Sequence, residues 1–478
     1  MQKEGGEEAE AEGMSIVPPA TIPLGDDEPI ECLIHFAQIH ETFRKAEIDA
    51  LAVLHGIEVV WTGYSDDSPY ATLLLPSRTS ARTLVSRSIL TKAIYELWAT
   101  SATLTTLHTT IQQRTPHLWP RLTPHPFKFT IETYNSSHTS AAQLALINTF
   151  SYLPLTGPIS LHNPTTTFTL LESYTPHSPT PHTLHFGLRL APGARHLPDT
   201  YDLKKRTYIG TTSMDAALSL ITANLSLCAA NKLIYDPFAG TGSFLVSAAA
   251  FGAHTWGSDI DGRQIRGKPG GPGVKDNFVQ YGLTDAYIDG FVSDLTNTPV
   301  VAGGRRFLDA VVCDPPYGVR EGLKVLGSRD REKGREAVVR DGVLRHLQPD
   351  YVPPKRPYSF TAMLNDILAF SAARLVDGGR LCFWMPTANE DFVEGIDIPM
   401  HPQMELVCVC VQVFNKWSRR LLTYSRKPGD EGLESVAAAV GEGARDGGAA
   451  EGEGAPRKAT ADELNNFRKK YFEGFRPS

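Results

Sequence analysis

The sequence predicts an α/β chain in which a parallel sheet, covered on both faces and closed by an antiparallel hairpin, follows two smaller α+β domains. Three observations carry this. From about residue 205, near-continuous apolar segments alternate with glycine-rich turns and helical periods, the pattern of a parallel sheet buried on both sides. Further on, "MELVCVCVQVF" and "RRLLTYSR" are separated only by "NKWS", too short a link for a parallel crossover. Before residue 200 the chain is rich in Thr, Pro and His and mixes short strand and helix periods.

Taken in order, residues 1–28 hold eight acidic residues and one lysine, and residues 429–455 hold seven and one arginine. Both segments are rich in Gly, Ala and Glu without periodicity, so 1–28 and 429–458 are expected to be disordered. They carry −7 and −6 of a formal net charge of −7, which leaves the body at +6 and open to an anionic partner. "ETFRKAEIDALAVLHG" puts Phe43, Ile48, Leu51 and Leu54 on one helical face, with Gly56 as the C-cap. "LVSRSILTKAIYELWA" predicts a second helix through Leu84, Ile89, Leu90, Ile94 and Leu97. "IEVVWTGY" and "YATLLLPS" between them predict strands, which closes a first domain over 29–110. "FKFTIETYN", a helix around "SAAQLALINTF" and "TTFTLLESY" predict a second over 111–200. The large domain then spans 201–428. Its strands are "NKLIYDP", "HTWGSDI", "DAYIDGFVSDL", "FLDAVVCD" and "GGRLCFWMP", followed by the hairpin, and a helix at 459–478 comes last.

Composition excludes several classes. No apolar run reaches the roughly 18 residues of a membrane span, and the acidic start is not read as a signal or transit peptide. The six cysteines sit in apolar contexts without a CxxC pattern, so structural zinc and disulfides are not expected and a reducing, cytoplasmic compartment is. Twelve of the 15 histidines scatter through the first 200 residues in loop-like sequence, which reads as solvated surface rather than as a metal site.

The chemistry is concentrated at strand ends. "DPFAGTGSF" ends a strand on Asp236, turns on Gly240 and Gly242, and opens a helix at Ser243. A dinucleotide would bring a pyrophosphate, which Asp236 repels, and Leu245 stands where GxGxxG requires glycine. S-adenosylmethionine suits the site better, with a cationic amino group, a sulfonium and no phosphate. Asp259 in "WGSDID" can accept both ribose hydroxyls, with Asp261 as the alternative. Asp294 in "FVSDL" can accept from the adenine amino group, although each acid taken alone could be a helix N-cap. In "DPPY", Asp314 and the Pro315 carbonyl can accept the two N–H bonds of a planar exocyclic amine. Pro315 and Pro316 stiffen those acceptors, and Tyr317 offers a ring for a base to stack on. The pattern as a whole is that of a Rossmann-like class I methyltransferase acting on a planar amine, and it is silent on which amine.

The run "LKKRTYIGTTSMDAALSLITANLSLCAANKLIYDPFAGTGSFL", with "GSDIDGRQIRG", "NFVQYGL" and "DPPYGVREG", resembles the eukaryotic tRNA guanine-10 N2-methyltransferase catalytic subunit. So do "FAQIHETFRKAEIDALAVL", "SRSILTKAIYELW" and the final "FRKKYFEGFR". The resemblance implies ferredoxin-like and THUMP domains before the methyltransferase domain, tRNA as substrate, and S-adenosylmethionine as cofactor. It also implies a small zinc-binding activator subunit that binds the catalytic domain as a heterodimer. Carried over by residue, the cofactor site falls on Asp236, Gly240, Gly242, Asp259 and Asp294, and the catalytic motif on Asp314, Pro315, Pro316 and Tyr317. Thr211 and Thr212 in "TYIGTTSMD" align with a segment that closes over the methionine end of the cofactor.

Two departures bear on the site: the insertion "GKPGGPGVKD", which affects the contacts of Arg263 and Asn277, and the acidic segment before the last helix. In that helix Leu464, Phe467 and Tyr471 share a face that suits packing on the catalytic domain better than RNA stacking. Ten Lys and Arg over 319–356 fit tRNA phosphates and a solvated helix equally well. The apolar edge "LVCVCVQVF" reads as a surface needing cover. An adenine-N6 methyltransferase would share the DPPY geometry, but nothing before the cofactor motif resembles a DNA-reading insertion, so DNA is not an expected partner. A glutamine-N5 protein methyltransferase would normally carry NPPY. A non-enzymatic tRNA-binding remnant would not keep all these acids.

Overall fold

The computed structural model describes residues 28–300, 305–319, 322–327, 338–348, 351, 354–390, 392–393, 397–429 and 465–474. The acidic segments, except at their edges, lie outside the described residues, as do Leu464 and the loop cations Arg320, Arg329, Arg331, Lys333 and Arg335.

The first seven strands are β1 (Ile30–Phe36), β2 (Val60–Gly63), β3 (Tyr70–Leu75), β4 (Thr91–Ser101), β5 (Phe127–Tyr134), β6 (Thr166–Ser173) and β7 (Thr183–Pro192). They form one sheet in the order β2-β3-β1-β4-β7-β6-β5, so the segments expected at 29–110 and 111–200 are joined through the β4–β7 pair. The helices Arg44–His55, Arg78–Val85 and Leu104–Arg114 share a core with one face of the sheet, where Ile34, Ile94 and Trp98 meet Ile48, Leu84 and Ile111. Gly56 caps the first helix in the left-handed region at φ 62°, as the sequence predicts.

The helix predicted across residues 84–99 is a strand for most of its length. The helix ends at Val85 and β4 begins at Thr91. β4 is central and buried on both faces: Ile94 and Trp98 enter one core, while Ala93, Tyr95 and Leu97 enter a second with Leu33 and Leu171. Burial on both faces erases the two-residue alternation, and the resulting apolar run imitates a helical period.

The second sheet uses β8 (Leu233–Asp236), β9 (His254–Asp259), β10 (Tyr287–Val292) and β11 (Leu308–Cys313). Beyond these come the minor strands β12 (Lys324–Leu326), β13 (Val339–Arg340), β14 (Val343–Leu344) and β15 (Lys355–Pro357). β12 pairs with β15 and β13 with β14. The sheet resumes with β16 (Leu375–Ala388), β17 (Met404–Val413) and β18 (Trp417–Arg426). Its order is β10-β9-β8-β11-β16-β18-β17, with five parallel strands and then the expected antiparallel hairpin. The last strand lies between the fifth and the sixth, as in Rossmann-like class I methyltransferases. Strand order reverses between β8 and β11, where such sheets place their ligands.

The two sheets belong to one continuous structure. Glu47, fully buried, accepts from the Ile89 and Leu90 amides, the Ser88 hydroxyl and Asn224 Nδ2. Arg87 donates to Asn224 Oδ1 and to the Cys228 carbonyl, and lies over the Phe251 ring at 3.7 Å. At the other end, Thr42 Oγ1 donates to the Val411 carbonyl at 3.0 Å and accepts from its amide at 2.8 Å. The edge "LVCVCVQVF" is thus partly covered by the chain itself, with Val407 and Val413 still exposed.

Candidate active site

Asp236 ends β8 with a buried side chain. One oxygen accepts from the Phe238 amide at 2.9 Å, and the other has no donor among the described residues. Burial pushes its pKa well above the ordinary carboxylate range. The turn that follows is pinned to β9: Ala239 N donates to the Ser258 carbonyl at 2.9 Å, and Gly240 N to Asp259 Oδ2 at 3.1 Å. The other Asp259 oxygen accepts from the Asp261 amide at 2.8 Å, so each oxygen holds one donor and keeps capacity for another. Asp261, the alternative, is an N-cap for Gly262–Arg266 and pairs with Arg263 at 2.7 Å. Of the two, Asp259 is the carboxylate left at the strand end.

Asp294 acts as a cap. Its Oδ1 accepts from Thr296 N, Thr296 Oγ1 and Asn297 N, and its Oδ2 from Asn297 Nδ2 and Leu326 N. With five donors in place, the carboxylate ties β12 to the end of β10 and forms a wall of the site. That wall belongs to a cleft bounded by Phe238, Ile260, Asp294, Pro316, Val325 and Tyr358. A mostly apolar cleft lined by Pro237 and Ile260, the residues that follow Asp236 and Asp259, suits a flat heterocycle joined to a hydroxylated, cationic chain.

Thr211 and Thr212 are exposed, in a segment that lies across the glycine turn. Neighbours hold that segment: Ser213 Oγ lies 2.7 Å from Thr241 Oγ1, and Asn277 Nδ2 donates to the Tyr208 and Thr241 carbonyls. The insertion contributes directly, because its Val274 is fully buried against the space above Gly242. Asn277 is singled out in the sequence by the insertion before it, whereas Val274 carries no signal that separates it from an ordinary helix residue.

Asp314 follows β11 across the switch point from Asp236. Tyr317 Oη donates to its Oδ1 at 2.6 Å, and Arg419 Nη1 stands 3.9 Å from its Oδ2. Burial raises its pKa from 3.8 to about 6, with Tyr317 and Arg419 pulling the other way. Pro315 is buried, and Pro316 is exposed along the cleft. The half-buried Tyr317 is turned toward Asp314 by its hydroxyl.

The helix Asn466–Glu473 closes the far side of this loop. Asn465 Nδ2 donates to the Tyr317 carbonyl at 2.9 Å, and Arg468 Nη1 donates to the carbonyls of Gly318 and, at 2.6 Å, Val319. Phe467 packs on Trp417 with ring centres 5.7 Å apart. The helix meets the domain body through Asn465, Phe467 and Arg468, while Tyr471 of the expected apolar face is 42% exposed.

The family description "Tmrp11 THUMP N-terminal domain" matches residues 30–195, and "RMKL-like, methyltransferase domain" matches residues 204–326. Over 402 residues the chain is 42% identical to the tRNA (guanine(10)-N(2))-methyltransferase of Saccharomyces cerevisiae, covering 82% of this chain and 92% of that one. It is 43% identical over 363 residues to the protein of the same name from Schizosaccharomyces pombe, covering 76% and 74%. To the human tRNA (guanine(10)-N(2))-methyltransferase TRMT11 it is 34% identical over 419 residues, covering 82% and 88%. Identity at this level over most of both chains means that the chain belongs to the tRNA (guanine(10)-N(2))-methyltransferase family.

Proposed function

We propose that the chain is the catalytic subunit of a tRNA methyltransferase that moves a methyl group from S-adenosylmethionine to the exocyclic N2 amine of guanine 10. The observation that carries this is Asp314, held at the switch point beside the cleft with one oxygen bonded to Tyr317 and the other open to a donor. The acids at the strand ends suit the cofactor's amino group and ribose: Asp236 and Asp259 would hold them, the backbone at Gly240 and Gly242 would approach closely, and the cleft would take the adenine. When bound, S-adenosylmethionine supplies an electrophilic methyl group.

The rest is the work of this chain's residues. The guanine N2 lone pair is delocalised into its ring. An anionic Asp314 accepting one amine hydrogen returns electron density to the nitrogen and fixes its direction. A carboxyl with a pKa near 6 can then take the proton that the nitrogen sheds. Pro315 and Pro316 limit the freedom of the loop that carries these acceptors. The ferredoxin-like and THUMP modules assigned to 29–110 and 111–200 would bring the tRNA, with the zinc-binding activator subunit as partner and the cytoplasm as setting.

The test is transfer of labelled methyl from S-adenosylmethionine to unmodified tRNA transcripts bearing guanine or adenine at position 10, with and without the activator. Incorporation confined to the guanine transcript is expected. Incorporation indifferent to that base would overturn the position, and none with the activator present would redirect attention to DNA or protein amides.

The C-terminal helix gives a second expectation. Replacing Asn465 and Arg468 together by Ala should lower turnover on the order of tenfold or more by loosening the catalytic loop. Cofactor affinity, measured by calorimetry, should stay unchanged.

A further inference from the structure

Arg419 lies on β18, and its surroundings are built rather than incidental. Its Nε and Nη2 both donate to Gln412 Oε1, at 3.1 and 2.6 Å, and its guanidinium lies over the Trp384 ring at 4.7 Å. That leaves Nη1 as the group 3.9 Å from Asp314 Oδ2. Both supports of Arg419 are in turn held by the N-terminal unit. Phe43 stacks on Trp384 with ring centres 5.8 Å apart, and Thr42 brackets Val411, the residue before Gln412. Phe43 and Trp384 are both fully buried, so this column of rings has no slack.

We propose that Arg419 is the positioning residue of the catalytic carboxylate, and that Thr42 and Phe43 of the N-terminal unit fix its place. The seating of that unit is thereby coupled to the alignment and charge of Asp314. The proposal rests on the reading of Asp314 as the acceptor of the target amine. Asp314 is faced by Asp236 from β8, by Tyr317 from its own loop and by Arg419 from β18, with Cys313 before it. Among these Arg419 is the cation. It is the group that favours the ionised form through charge, while its fixed plane limits where the carboxylate can turn.

The test compares Arg419→Met, Arg419→Lys and Thr42→Val in the full chain with the activator subunit, using labelled methyl transfer across pH 5 to 9. Arg419→Met should lower kcat about tenfold at neutral pH and move the acid limb of the rate profile up by about one unit, since one unit of pKa is a factor of ten. KM for S-adenosylmethionine should not change. Arg419→Lys keeps the charge and should restore the limb without restoring full kcat. Thr42→Val leaves the Glu47–Asn224 contacts intact and should lower kcat with the same KM. Wild-type kcat in Arg419→Met, or a loss of kcat with the limb unmoved, would overturn the proposal. Wild-type rates in Thr42→Val would remove the link to the N-terminal unit. Asp314→Ala run alongside separates the failures, because activity surviving that change would sink the underlying reading of Asp314 instead.

Discussion

Asp314→Asn is expected to lower methyl transfer on the order of 10²–10⁴-fold, the range for losing a positioned base together with its electrostatic contribution. The same change should raise thermal stability at pH 8. Both expectations come from one number. Burial lifts the carboxyl from 3.8 to about 6, so the folded protein binds this proton more tightly than the unfolded chain does. Ionisation above pH 6 therefore costs folding free energy. That cost shrinks as pH falls through 6 and is gone below 3.8. Asn keeps an oxygen for the Tyr317 hydroxyl and removes the charge, so the cost disappears along with the activity. A two-unit shift corresponds to about 3 kcal/mol at most, and the partial exposure of the side chain reduces it. Melting curves at pH 5 and pH 8 check the sign: the gain should be present at pH 8 and smaller at pH 5. In the unaltered enzyme turnover should fall below pH 6, about tenfold per unit. A variant that is inactive and also less stable at pH 8 would mean that Asp314 is a structural ion-pair partner of Arg419.

The large sheet was legible because its strands alternate with glycine-rich turns and helices and the first four lead into acids, so that topology and chemistry both leave marks in local sequence. β4 was not, because burial on both faces in a mixed sheet produces the same apolar density as a helix. β1 and β7 were not legible for the same reason, since both are buried along nearly their whole length and show no two-residue alternation. Within the site the strand-end carboxylates and glycines were readable, and the structure brings Asp236, Gly240, Gly242 and Asp259 around one turn. Asp294 stands beside the same cleft as the N-cap that local sequence also allows, with four donors from Thr296 and Asn297 and one, Leu326 N, from far along the chain. Arg419 and Asn465 were invisible for another reason. Each acts on a residue more than a hundred positions away, through a tertiary contact that leaves no trace in spacing.

The glycine turn separates two ways of being indispensable, and substitution by alanine should tell them apart. Gly242 sits at φ 80°, and a Cβ there would come within 2.8 Å of Val274 Cγ1, a fully buried and stiff side chain. Left-handed strain of about 1–2 kcal/mol and overpacking of about 1–3 kcal/mol act together, so Gly242→Ala should lose stability on the order of 2–5 kcal/mol. Gly240 sits at φ 51°, but a Cβ there meets only the Phe238 carbonyl oxygen, at 3.9 Å, and otherwise enters open space. Gly240→Ala should therefore cost about 1–2 kcal/mol of strain and leave the fold intact. If the cofactor backbone passes through that space, the added methyl group meets it, and a clash of about 1–3 kcal/mol would weaken S-adenosylmethionine binding by roughly 5- to 150-fold. Denaturant unfolding and calorimetric titration of both variants give the comparison. A stable Gly240→Ala protein that binds S-adenosylmethionine as tightly as before would put the cofactor elsewhere in the cleft. A stable one that binds it weakly would place the cofactor against this turn, since among the described residues, chain neighbours aside, only the Phe238 carbonyl oxygen stands within 4 Å of the added Cβ.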